Sequence, residues 1–298
     1  MDRPPEVKAE EQRSLPGRLR LTLETIKFSH TLFALPFAIL SAVLAAGGAP
    51  KLAVLAKILA AMVGARSAAM AHNRLADREI DAANPRTASR ALPAGALSVG
   101  FVRAFLAASV LLFLAAAASL NRLTLLLSPV ALGLLLAYAY AKRFTSASHL
   151  LLGLCLSLAP IGAWIAVRGS IAPLPILLGL AVLVWTAGFD MLYALQDEDF
   201  DRKAGLKSLP ALAGGRTTLA VSGLLHAAMI PILFVVWKLA GGGPLFAAGI
   251  LVTGAALLYQ HAIVKPGDLS RIDTAFFTAN GFVSVTLAAC GIADVLLR

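Results

Sequence analysis

Two short stretches of the chain concentrate side chains able to do chemistry on charged substrates. Asn73, Asp77 and Asp81 recur every fourth residue, and Asp190, Tyr193, Asp197 and Asp201 follow an i, i+3, i+7, i+11 pattern. On an α-helix each i to i+4 step turns only about 40° and climbs about 6 Å, so each set lines one stripe. Glu79, turned about 200° from Asp77, and Asp199 fall off the stripes. Half of the chain's 16 Asp and Glu residues lie within these two stretches. Two facing carboxylate rows repel one another unless positive charge sits between them. Hard oxygen donors of this kind suit magnesium, which takes one or two carboxylates together with substrate phosphate oxygens. Asp77, Asp81, Asp197 and Asp201 are therefore candidate ligands.

Basic residues follow each row. Asn84 and Pro85 end the first helix, and Arg86 and Arg90 stand in the loop running to Pro93; Lys207 takes the equivalent place after the second row. Guanidinium and ammonium groups there suit the outer oxygens of a diphosphate. Plainer readings stay open. Solvated helix ends with local pairs such as Asp77 and Arg78 account for the acids, a charge bias between membrane faces accounts for the cations, and an interfacial aromatic accounts for Tyr193. His30, His72, His149, His226 and His261 are scattered without metal-ligand spacing and read as structural.

Long apolar elements must position these groups. Of 298 residues, 59% are hydrophobic and 14% charged, and the mean hydropathy is +0.81. The apolar residues come in blocks of roughly 20, the length that crosses a bilayer as a helix. We read about nine, over 29–48, 52–71, 99–119, 122–141, 149–168, 173–195, 217–239, 244–263 and 273–297, the last interrupted by Asn280 and Asp294. The alternation of a membrane barrel is absent, which leaves helices. The expected fold is an all-α membrane protein of about nine transmembrane helices.

Position explains the net charge of +10. Basic residues gather before the first block and after the second, fourth, sixth and eighth, while the other connections carry little beyond Lys51, Arg122, Arg168 and Lys238. This bias places the N-terminus and both acid rows in the cytoplasm, with no nucleic-acid partner required. Cys155 and Cys290 fall within apolar blocks, so no structural disulfide is expected. Residues 1–16 read as a polar tail and 17–298 as a single domain. The first block is long and lacks a small-residue cleavage site, so it reads as a retained helix.

At these residues the chain resembles the UbiA superfamily of intramembrane prenyltransferases. One signature appears as Asn73-x-x-x-Asp77-x-x-x-Asp81, followed by Arg86-Thr87-x-x-Arg90-x-Leu92-Pro93. The other appears as Asp190-x-x-Tyr193-Ala194-x-x-Asp197-x-x-x-Asp201, followed by Gly205-Leu206-Lys207-Ser208. Lys142-Arg143-Phe144-Thr145, and Ala275 and Phe276 with Asn280, are similar to family positions, and the match runs from about Lys27 to Asn280. The resemblance implies nine helices around a central cavity with cytoplasmic helical caps. It implies that Asn73, Asp77, Asp81, Asp197 and Asp201 bind a polyprenyl diphosphate through magnesium, with Lys27 among the substrate-binding residues. The branch it most resembles acts on 4-hydroxybenzoate or related aromatic acids in ubiquinone biosynthesis. Relatives that use a dihydroxynaphthoate for menaquinone are similar too.

On this reading the reaction is prenyl transfer to an aromatic acid inside the membrane. Asp190 is placed to orient or deprotonate the acceptor, and Lys142 or Arg143 to pair with its carboxylate. An ion-coupled transporter is the rival from another class, but it places acids at mid-span on broken helices. A non-catalytic lipid-binding scaffold has no use for so many metal-type ligands.

Overall fold

The structure is a computed structural model describing residues 31–298 except 266. Lys27, His30 and the polar tail lie outside the described residues. Nine long helices are present among them: α1 Thr31–Ala46, α2 Leu52–Ala76, α3 Val99–Leu120, α4 Arg122–Ala137, α5 Ser148–Arg168, α6 Pro173–Ala194, α7 Leu209–Leu239, α8 Pro244–Ile263 and α9 Asn280–Leu297. Eight are long and apolar enough to cross a membrane; α1 is a shorter apolar helix at the limit of the described residues. Apart from an isolated bridge between Lys265 and Asp268, the described residues form no strand. The expected all-α membrane architecture is the one found.

The helices pack in sequence order, each against the next from α2 to α9, and α1 returns to pack on both α5 and α9. Helix α6 lies deepest, with Leu178, Val182, Trp185 and Leu192 all buried. Its close contact with α5 depends on Gly153, where a Cβ would stand 2.4 Å from the Leu183 carbonyl oxygen. The 209–239 run is broken at Gly214, whose φ of 77° is a left-handed conformation that glycine adopts without strain. The membrane-crossing part of α7 thus begins close to the expected residue 217.

Asn280 and Asp294, which interrupt the last apolar block, are buried and fully engaged. A π-helical turn over Thr274–Ala279 precedes α9. Asn280 Nδ2 donates to the Phe276 carbonyl at 2.8 Å, and its Oδ1 accepts from Trp185 Nε1 at 3.1 Å. Asp294 accepts from the Gly243 amide at 2.8 Å and pairs with Arg298. Each polar group is thereby satisfied within the bundle, as burial in an apolar medium demands.

Candidate active site

Both acid rows stand at one end of the bundle, and each departs from the single continuous helix that the spacing suggests. Helix α2 stops at Ala76. Asp77 adopts φ −95°, ψ 11°, and a six-residue helix, Arg78–Ala83, then begins. Helix α6 stops at Ala194, a 3₁₀ turn covers Leu195–Asp197, and Asp197 adopts φ −105°, ψ 6° before another six-residue helix, Glu198–Lys203. The break has a visible cause at the first row. Arg143 Nη2 donates to the Ala76 carbonyl and to Asp77 Oδ1, supplying the partner that the end of a helix otherwise lacks. Both aspartates sit in the sparsely populated bridge region that active-site residues often occupy.

The helix ends bring the aspartates, and most of the predicted cations, around one cavity of about 260 Å³, lined among others by Asn73, Asp77, Asp81, Asp190, Tyr193, Asp197 and Asp201. Asn73 Nδ2 donates to Asp77 Oδ2 at 2.9 Å. Asp81 is held by Arg90 at 2.6 Å and by Arg74 at 3.4 Å. Arg86 reaches from the first loop to the second row and grips both oxygens of Asp197, at 2.9 and 2.5 Å, while Asn84 adds a third bond at 3.1 Å. Lys142 lies 3.4 Å from Asp201, which is only 2% exposed. Burial pushes the Asp77 carboxyl above its usual value and nearby Asp81 adds to this, against the lowering effect of the Arg143 hydrogen bond. Glu79 and Asp199 point to solvent, as their positions off the stripes require.

Among the described residues no three His, Cys, Asp or Glu side chains converge on one point as they stand; basic side chains occupy the spaces between the aspartates. Lys207 is not brought to the cavity. It is exposed, and its Nζ bonds the Phe144 carbonyl at 3.3 Å. Lys142 and Arg143, expected beside an acceptor carboxylate, are engaged with Asp201 and Asp77 instead. Tyr193 stacks on Phe276 with ring centroids 4.1 Å apart, and the Arg86 guanidinium lies 5.6 Å from its ring centre. With Phe33 and Phe189 these rings form an aromatic wall of the cavity.

A second cavity, of about 300 Å³, adjoins the first and is almost wholly apolar. It is lined by α1 to α5, and α2 lines it from Ile58 to Asn73, a length of about 22 Å at 1.5 Å per residue. Arg66, Met70, Asn73, Tyr138, Leu152 and Leu156 line both cavities. Reading the sequence alone misses Arg66. Its Nε is buried without a hydrogen-bond partner, and among the described residues no carboxylate pairs with it. A lone arginine in the middle of an apolar block is the available signal, since such residues in membranes mark functional sites.

The model of the UbiA prenyltransferase family matches residues 34–282. The chain belongs to the UbiA prenyltransferase family. It is a multi-pass membrane prenyltransferase. It is similar to the 4-hydroxybenzoate octaprenyltransferase of Aeromonas salmonicida, at 35% identity over 237 residues, covering 80% of this chain and 82% of that protein. The Aliivibrio fischeri protein of the same name is 31% identical over 249 residues, covering 83% and 87%. Among solved structures, an apo UbiA homologue from Aeropyrum pernix superposes with TM-score 0.81 at 37% identity, over 90% of this chain and 98% of that one. A homologue from Archaeoglobus fulgidus bound to GPP and Mg²⁺ shares the fold, with TM-score 0.68 at 23% identity, over 92% and 99%.

Proposed function

We propose that this enzyme transfers a polyprenyl group from its diphosphate to the ring of 4-hydroxybenzoate, with magnesium, at the cytoplasmic face of a prokaryotic inner membrane. The observation that carries this is the junction of the two cavities. An acidic and basic chamber meets an apolar one along α2, and Arg66, with no carboxylate partner among the described residues, stands where they meet. An amphiphile with an anionic head and a long apolar tail fits that pair of chambers. The names of the similar octaprenyltransferases support both the donor class and the acceptor.

The donor set fits magnesium, since it is made of oxygen ligands alone: Asp77, Asp81, Asp197 and Asp201, with Asn73 beside them. When bound, the metal neutralises charge that develops on the departing diphosphate. Arg86, Arg90, Lys142 and Arg143 line the same chamber and would engage the outer phosphate oxygens. The donor C–O bond breaks with its electron pair leaving on the diphosphate. The aromatic wall of Phe33, Phe189, Tyr193 and Phe276 faces the resulting allylic cation, a contact that ring quadrupoles favour. The apolar chamber keeps water from it. A ring carbon ortho to the acceptor hydroxyl then forms the new C–C bond, and the ring proton leaves to a base. Arg66 pairs with the acceptor carboxylate, and Asp190 faces the acceptor hydroxyl. Positive-inside charge supports the cytoplasmic orientation of the site.

The test is prenyl transfer by purified protein in liposomes, with polyprenyl diphosphate and either 4-hydroxybenzoate or a dihydroxynaphthoate, with and without magnesium. Magnesium-dependent product from 4-hydroxybenzoate is expected, reduced by at least about 10²-fold in Asp77→Ala and Asp197→Ala. Arg66→Leu is expected to raise the acceptor KM and spare the donor KM. Exclusive use of the naphthoate would move the enzyme to the menaquinone branch. Transfer unaffected by chelation would refute the magnesium site.

A further inference from the structure

Five carboxylates line the acidic chamber, and four of them, Asp77, Asp81, Asp197 and Asp201, are each held by an arginine or a lysine. Asp190 is the exception. Its hydrogen-bond partner is His149 of α5, with Nδ1 only 2.7 Å from Asp190 Oδ2. His149 is fully buried, at 0% exposure, whereas the Asp190 side chain keeps 19%. The histidine thus stands behind the carboxylate, and the carboxylate faces the chamber.

The surroundings of the ring fix its tautomer. The Leu209 amide donates to His149 Nε2 at 3.4 Å, so Nε2 is the acceptor and Nδ1 carries the proton. His149 therefore donates from Nδ1 to Asp190 Oδ2, leaving Oδ1 free for the chamber. Leu209 opens α7, one residue after the Ser208 cap, and its amide is one of the donors that a helix start leaves without a partner. The order of bonds is α7 amide to imidazole to carboxylate to substrate chamber. A plain core histidine needs only satisfied nitrogens. This one also selects which oxygen of an active-chamber acid is spent on the protein.

We infer that His149 is a positioning residue, which aims the free oxygen of Asp190 at the hydroxyl of the aromatic acceptor. The inference rests on the acceptor reading above. His149 touches no substrate; it acts through Asp190, so removing it impairs use of the acceptor and leaves capture of the donor intact. Among the described residues no lysine or arginine holds Asp190, and this suits its role, because an oxygen committed to a guanidinium is a poor acceptor for a phenol.

Three variants test the inference. His149→Asn keeps an N–H donor near the position of Nδ1, His149→Gln places its amide near Nε2, and His149→Leu keeps neither. With wild-type protein in liposomes as reference, His149→Leu and His149→Gln are expected to lose about 10- to 100-fold in kcat for prenyl transfer, the range seen when a partner that orients a functional side chain is removed. The donor KM is expected to stay constant, and His149→Asn to recover activity to within a few-fold. Combining His149→Leu with Asp190→Asn is expected to cost little beyond Asp190→Asn alone, because the two act as one unit. A wild-type rate in His149→Leu, or equal losses in all three variants accompanied by a rising donor KM, would overturn the role of His149 and reduce it to packing. Wild-type protein that prenylates no hydroxy acid overturns the acceptor reading and this inference with it, so the two failures are told apart.

Discussion

Helices α2 to α5 surround an open chamber, whereas α6 to α9, with α1, close on a continuous core. The difference is one of side-chain size. The hollow half presents Ala61, Ala65 and Ala69 from α2, and Ala159, Gly162 and Ala163 from α5. The solid half interlocks Trp185, Phe189, Met229, Leu233, Phe246 and Leu287, all buried. Each half nevertheless ends in the same local device: an aspartate at a bridge-region bend, a six-residue helix, and a second aspartate four residues on. The hydrogen-bond donors to the two rows are shared unevenly. Asn84, Arg86 and Lys142, all from the hollow half, engage the second row. Among the described residues no lysine or arginine of the solid half pairs with the first row. One half provides the void and the cations, and the other provides the second acid row and a rigid wall.

Breaking the bridge between the halves should have the largest effect. Arg86→Ala removes the bidentate grip on Asp197 and a diphosphate contact together. Steady-state kinetics should show transfer falling by about 10²- to 10³-fold, the range for losing one preorganised charge-stabilising donor. Arg86→Lys should restore little, since an ammonium group cannot reproduce a two-point fork. A near-normal Arg86→Lys enzyme would mean that only charge matters there.

Hollowing the solid half should cost stability. Phe246 is fully buried on α8, and Phe246→Ala leaves a void whose lining loses its dispersion contacts. A loss of about 3 kcal/mol is expected, visible as earlier thermal unfolding in detergent. Preference among donor chain lengths should not change, because the void opens away from the chamber.

Much of this is legible in the chain. Spacing alone puts Asn73, Asp77 and Asp81 on one stripe and sends Glu79 and Asp199 to solvent, because helical phase is a local property. Apolar block lengths locate the spans for the same reason. What cannot be read depends on partners distant in sequence. The bend at Asp77 is stabilised by Arg143 from another helix end, and Arg86 crosses 111 residues to Asp197. Lys207 shows the reverse failure: a sequence position equivalent to that of Arg86 turns its side chain outward to a loop carbonyl. His149 reads as structural in the sequence because its partner Asp190 lies 41 residues away, with no periodicity to link them. The chamber itself has no signature beyond small residues on α2 and α5, which close helix packing uses equally.

Narrowing the hollow half should give the smallest effect and the most selective one. Ala65 lines the apolar chamber two turns along α2 from Asn73, about 12 Å away at 1.5 Å per residue. Ala65→Phe adds a benzyl group to a wall of small residues without touching the acids or their cations. A dimethylallyl donor ends well short of that depth, so its kcat/KM should hold. A long polyprenyl donor must pass the ring and should lose about tenfold, equivalent to 1.4 kcal/mol. The ratio of the two donors, taken from one preparation, cancels any general loss of folded protein. Equal losses on both would mean that the tail leaves the acid chamber by another route, and the chamber of α1 to α5 would then be a packing void instead of the tail's path.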